Sequence, residues 1–167
     1  LNFWHYAVHI PIASPPELVD KYEKKAARLD LDAVDPFETG EHFPFWQNRL
    51  ARVRRRTVQS DPAYAAMMEN LDTNIGRLLA TLESAGLADN TIVIFTSDNG
   101  GLATAEGSPT CNAPLSEGKG WMEEGGVRVP LLVRWPGHLT AGMRIEEPVT
   151  SPDFYPTLLG VAGLPAV

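Results

Sequence analysis

The feature that most constrains this chain is a long amphipathic helix feeding directly into a short apolar strand. Asp61-Pro62 opens the helix: an aspartate side chain can accept from free amides at a helix start, and proline suits the first helical position. Tyr64, Met67, Leu71, Ile75, Leu78 and Leu82 then recur at three- and four-residue steps, Met68 and Leu79 widen the stripe, and Gly86 stands where a C-terminal cap belongs. The methionines belong to this core stripe and not to a metal or cofactor box. Residues 87–90 turn the chain, and Thr91 to Thr96 follows as a nearly continuous apolar run, the pattern of a strand buried on both faces. A helix leading into such a strand predicts an α/β fold, a mostly parallel sheet flanked by helices. Val129 to Trp135 reads as a second buried strand, closed by Pro136-Gly137. A final helix opens at Ser151-Pro152 and runs through Phe154, Leu158 and Leu159 toward Gly163.

The rest of the chain is less regular. Phe3 to Val8 is aromatic and β-branched and predicts a short strand ending at His9-Ile10-Pro11, since proline cannot continue a central ladder. Glu17 to Arg28 predicts a short helix with Leu18, Val19 and Tyr22 on one side. From Asp30 to Pro44, acids, two prolines and Gly40 break every periodicity, which predicts a loop or insertion. Arg49, Arg52, Arg54, Arg55 and Arg56 follow. Such a run is expected as a solvated helix face, with an anion or partner patch as the sharper alternative.

Bulk composition bounds the function. Of 167 residues, 44% are apolar and 21% charged, enough for a packed core. The formal charge of −7 argues against a nucleic-acid partner, whose footprint is a net basic face, but leaves room for a small anion in a locally positive pocket. Cys111 has no second cysteine to pair with. No apolar run approaches the ~20 residues needed to cross a bilayer. Leu1-Asn2-Phe3 is neither a methionine start nor a signal peptide, so both ends are expected to be cuts within a larger catalytic domain.

Three segments carry chemistry. Ser97-Asp98-Asn99-Gly100-Gly101 lies at the carboxyl end of the predicted strand, where open α/β sheets bind ligands. Asp98 and Asn99 offer adjacent oxygens of the kind that Ca²⁺ or Mg²⁺ takes, although an Asx-turn ending a strand would use the same residues. In Glu117-Gly118-Lys119-Gly120, the glycines let the backbone approach an anion, and the Lys119 ammonium is a point charge for an oxyanion; a solvated surface loop is the plain alternative. Glu124 and Arg128 are expected to brace that loop by ion pairing. His9 stands at the predicted strand end, where a general acid or an anion contact fits, while His5 is expected to be structural. His42 and His138 sit in loops without a sequence partner.

Taken in order, His5-Tyr6-Ala7-Val8-His9-Ile10-Pro11, then Ile92 to Gly101, then Gly118-Lys119-Gly120 with Glu124 to Pro130, resemble the formylglycine-dependent sulfatases of the alkaline phosphatase superfamily. Val133 to Gly137 and Ser151 to Leu159 are similar to the same family, and the likeness is weakest from about Asp30 to Thr57. The resemblance implies an alkaline phosphatase-like fold and a sulfuric ester hydrolase. Asp98 and Asn99 would be one pair of Ca²⁺ ligands. Lys119 would contact the sulfate group and assist the leaving group, and His9 would stand beside the scissile ester oxygen. The substrate would be a sulfated small molecule or glycan, and the location periplasmic or secreted, as for many relatives.

The departures are as specific as the matches. The family nucleophile, a Cys or Ser in Cys/Ser-x-Pro-x-Arg that matures to formylglycine, has no counterpart: Cys111-Asn112-Ala113-Pro114 has its proline one place late, and Ser14-Pro15-Pro16-Glu17-Leu18 lacks the arginine. The first metal-binding aspartate pair is also missing from the 167 residues. Both features lie upstream of the histidine motif in the family, so the chain is expected to be the central to C-terminal part of the catalytic domain, inactive alone. Ser116 and Glu117 stand where a basic residue and a glycine are common, so Glu117 either shifts substrate preference or faces solvent. Two alternatives remain at this stage: a phosphoester or phosphonate hydrolase of the same superfamily, and a non-catalytic sulfatase-like binding module.

Overall fold

A computed structural model describes residues 1–43 and 49–165. The chain divides into two units, Leu1–Pro136 and Gly137–Val167. The first contains helix α1 (Pro16–Arg28), strands β1 (Phe37–His42) and β2 (Arg52–Arg56), helix α2 (Pro62–Ser84), strand β3 (Val93–Thr96), the short helix α3 (Glu124–Val127) and strand β4 (Leu131–Arg134). The second contains a 3-10 turn, Ser151–Asp153, and helix α4 (Phe154–Val161). No helix among the described residues is long and apolar enough to cross a membrane.

Helix α2 forms as its sequence dictates. Asp61 accepts the Tyr64 amide at 2.9 Å, and Pro62 takes the first turn. At the other end Gly86 has φ of 66°; its amide reaches the Glu83 carbonyl at 3.0 Å and the Leu87 amide reaches Leu82 at 2.9 Å, a Schellman closure. Met67 and Leu71 of the predicted stripe are buried, as is Ala66 beside it, whereas Met68, expected to widen the stripe, is exposed. Helix α1 packs on α2, with Ala26 buried, Leu18, Val19 and Tyr22 half-buried and a Lys21–Glu69 ion pair at 2.7 Å. Glu69 is held below the usual carboxylate range by its hydrogen bond from Lys21.

Four expectations need correction. Residues 3–8 do not form a strand: residues 1–6 are exposed, none of 3–8 joins a ladder, and the chain turns as the His9 amide bonds the Tyr6 carbonyl at 2.8 Å. The arginine run is not a helix face. From Arg52 to Arg56 it is β2, paired antiparallel with β1 inside the segment expected to be loop, with Phe37 opposite Arg56 and Glu38 opposite Arg55. The aromatic ring explains part of this choice: the guanidinium carbons of Arg54 and Arg56 lie 4.4 and 4.7 Å from the Phe37 centroid, so alternate arginines share one face over an aromatic surface. Pro44, the end of the expected loop, lies outside the described residues.

Third, both observed sheets are two-stranded and antiparallel, not parallel. Thr96, which ends β3, is the ladder partner of Leu131, which begins β4. The long connection therefore leaves and re-enters at the same end of the pair, where a parallel crossover would have to return to the opposite end. Fourth, the pair is not buried on both faces: Ile94 and Phe95 are about a third exposed and Leu132 is 61% exposed. The buried apolar residues are instead Ala26, Ala66, Met67 and Leu71 on the packed helices α1 and α2, and Val53, Ala103 and Trp121 on β2 and the connection after β3.

Candidate functional site

The connection from Ser97 to Pro130 is built on glycine. A Cβ on Gly100 would lie 1.7 Å from the Gly125 carbonyl oxygen, and one on Gly118 would lie 2.3 Å from that of Gly101. Only glycine permits backbones to approach so closely. The approach is fixed by hydrogen bonds: Gly100 N–H to the Gly126 carbonyl at 2.8 Å, Lys119 N–H to Gly101 at 3.0 Å, and Gly125 N–H to Ser116 at 2.7 Å. Asn112 adds a cross-brace, its side-chain nitrogen donating to the Gly101 and Glu117 carbonyls, each at 2.8 Å. The segment following Asp98-Asn99 and the segment bearing Lys119 are thus stitched backbone to backbone.

His9 arrives from the other end of the sequence. Its Nε2 lies 3.0 Å from Lys119 Nζ, across 110 residues, and its Nδ1 lies 2.7 Å from the Ile10 carbonyl. A carbonyl can only accept, so Nδ1 carries the proton of that bond, and an ammonium can only donate, so Nε2 offers its lone pair to Lys119. Tyr6 supports the turn: its hydroxyl donates to the same Ile10 carbonyl at 2.9 Å, and its ring lies 5.3 Å from the imidazole.

Asp98 is exposed and Asn99 half-buried. The Asn99 nitrogen donates to the Gly100 carbonyl at 2.9 Å, which leaves its Oδ1 as the oxygen for a ligand. A carboxylate and an amide oxygen are hard donors that fit Ca²⁺ or Mg²⁺. Among the described residues no three His, Cys, Asp or Glu side chains converge. The two residues offer two side-chain oxygens, where Ca²⁺ takes roughly six to eight.

The other candidates fall elsewhere. His5 packs edge-on against Phe3 at 4.6 Å. His42 pairs with Arg52 in the hairpin, and His138 belongs to the second unit. Glu124 and Arg128 do pair, at 3.4 Å, on the surface. Sequence reasoning missed Asn112 and Arg55 and did not foresee the burial of Glu117. Glu117 does not face solvent: it is 1% exposed, and its Oε1 accepts from Arg55 Nη1 at 3.2 Å. Burial pushes its carboxyl above the usual range, opposed by Arg55. Arg55 is in turn gripped by Glu38, its partner across the ladder, which raises the guanidinium further. No local pattern marks the Arg55–Glu117 pair, because the two residues stand 62 positions apart, and Asn112 acts only once its loop has folded back on Gly101 and Glu117.

Comparison with known proteins bears on this arrangement. The family described as Sulfatase matches residues 4–164. A sulfatase from Formosa agariphila is 38% identical over 95% of this chain and 25% of its own length. Rat steryl-sulfatase and human arylsulfatase A are each 42% identical over 60% of this chain, and 18% and 19% of their own lengths. The chain thus spans a quarter or less of these curated relatives. A crystal structure of Ps i-CgsB in complex with k-i-k-neocarrahexaose matches with a TM-score of 0.68 and 30% identity, over 96% of this chain and 28% of that one.

Proposed function

This chain belongs to the sulfatase family, and on that premise we propose that it forms the leaving-group side, and part of the cation side, of a site that hydrolyses sulfate esters. The observation that carries this reading is the 3.0 Å approach of Lys119 Nζ to His9 Nε2, next to the loop that follows Asp98-Asn99.

A sulfate ester carries diffuse negative charge, and cleavage concentrates more of it on the departing oxygen. Lys119, held by its backbone to Gly101, would donate to a sulfate or ester oxygen. His9, fixed in one tautomer by Ile10, would keep its Nε2 lone pair on the ammonium and so orient the N–H bonds of Lys119. The pair would hold a proton at Nζ and release it as the alcohol departs, with Nε2 available to share it. Asp98 and Asn99 would be two ligands of a Ca²⁺ or Mg²⁺ ion. When bound, that ion would supply a fixed positive charge for the sulfate oxygens. The nucleophile is expected to be the family's formylglycine, carried outside these 167 residues, with this chain as the central to C-terminal part of the catalytic domain and inactive alone. The solvent exposure of Ile94, Phe95 and Leu132 supports placing the antiparallel β3–β4 pair against further parts of an alkaline phosphatase-like domain.

The substrate is a sulfated small molecule or glycan. The test is turnover by the full-length protein of an aryl sulfate against the matching aryl phosphate, with and without a Ca²⁺ chelator. Sulfate turnover that the chelator abolishes is the expected result. Preference for the phosphate would move the chain to the phosphoester branch of the superfamily, and no turnover of either would favour a binding module.

A further inference from the structure

Glu117 is the largest fully buried side chain among the described residues, and it sits two positions before Lys119. Its backbone has φ of 59°, in the left-handed region that non-glycine residues avoid, so the turn here is not set by side-chain preference. One carboxylate oxygen meets Arg55 at 3.2 Å; the other, also buried, has no direct hydrogen bond, although the Glu41 backbone lies close enough to favour the carboxylate. The hairpin closes over it. Gly40 of β1 comes so near that a Cβ there would lie 3.4 Å from the bonded oxygen, and Glu38 holds two other nitrogens of Arg55. On the main chain, the Glu117 carbonyl is taken by Asn112. A buried, half-satisfied ion pair is weak evidence for stability, because an apolar pair of the same shape commonly does as well. What it supplies here is a fixed point between a hairpin and a glycine-rich loop that has few other side chains to hold it.

We propose that Glu117 and Arg55 are positioning residues for Lys119: their buried contact anchors the lysine loop to the β1–β2 hairpin and so sets where Nζ meets His9 and the departing oxygen. This rests on the sulfatase reading. A lysine displaced from the departing oxygen harms slow leaving groups most, since good ones need little help. A general loss of folded protein would instead lower turnover of every substrate alike.

The test uses the full-length protein with two substrates, 4-nitrophenyl sulfate and phenyl sulfate, whose leaving groups are good and poor. Glu117→Gln keeps the shape and removes the charge; Arg55→Met removes the partner; Arg55→Lys restores the charge without the fork. For Glu117→Gln and Arg55→Met, kcat on phenyl sulfate is expected to fall about tenfold further than on 4-nitrophenyl sulfate, with KM nearly constant. The double variant should be no worse than either single one, and Arg55→Lys should recover part of the gap. Equal losses on both substrates, or a lowered melting temperature with unchanged kcat in the surviving enzyme, overturn the proposal alone. Absence of wild-type turnover on either sulfate overturns the functional reading and this proposal with it.

Discussion

Lys119 Nζ and His9 Nε2 lie 3.0 Å apart, although 110 residues separate them in sequence. The contact is possible because two unrelated local devices meet. The Tyr6–His9 turn presents the imidazole, and the bond from Lys119 N–H to Gly101 presents the amine. Residues that act as one unit lose their function together. In the full-length protein, Lys119→Ala and His9→Ala should each lower kcat/KM for an aryl sulfate by about 10²-fold or more. The double variant should lose scarcely more than the worse single one. Steady-state kinetics on the four proteins measures this, and full additivity would mean that the two side chains act independently.

Asn112 occupies a different kind of position. One side-chain nitrogen donates to two carbonyls from two segments, Gly101 and Glu117. Asn112→Ala leaves the Glu117 carbonyl short of a partner, while Gly101 keeps the Lys119 amide, and should cost about 1–3 kcal/mol. Asn112→Asp should be worse at neutral pH, because a carboxylate oxygen would face two carbonyl oxygens with no proton to share. Urea unfolding of the two variants decides the order; an aspartate variant as stable as wild type would show that the brace contributes nothing.

What the sequence made legible, and what it hid, follows from the range of the forces involved. Helix α2 was readable to its caps, since Asp61, Pro62 and Gly86 act within one turn. His9 and Lys119 could be singled out through motifs whose order mattered more than any one of them, and the structure brings those two together. The hairpin was not. Arg52 to Arg56 looks like a solvated face because nothing adjacent announces Phe37, a residue more than a dozen positions earlier, as its aromatic floor. The direction of the β3–β4 pair was misread because apolar density indicates a strand without indicating its neighbour. Glu117 was hidden for the same reason as the hairpin: its burial is made by Arg55 and Gly40, 62 and 77 positions away.

The burial of Glu117 has a consequence for stability against pH, and its sign can be worked out. Removal from water raises its carboxyl above the ordinary glutamate range, and the nearby Arg55 offsets this only in part. A group whose folded value is raised binds its proton more tightly in the folded state. Its contribution is therefore full below the unfolded value, about 4.3, and is lost as pH rises through the higher folded one. Glu117→Gln cannot titrate and keeps the neutral form throughout. Wild type should therefore lose stability relative to Glu117→Gln as pH is raised from the acid side of that window toward neutrality. Urea midpoints for the two proteins across that range measure the difference. A wild type that instead gains on the glutamine variant would mean that Arg55 outweighs desolvation and that the carboxylate is ionised in the fold from the outset.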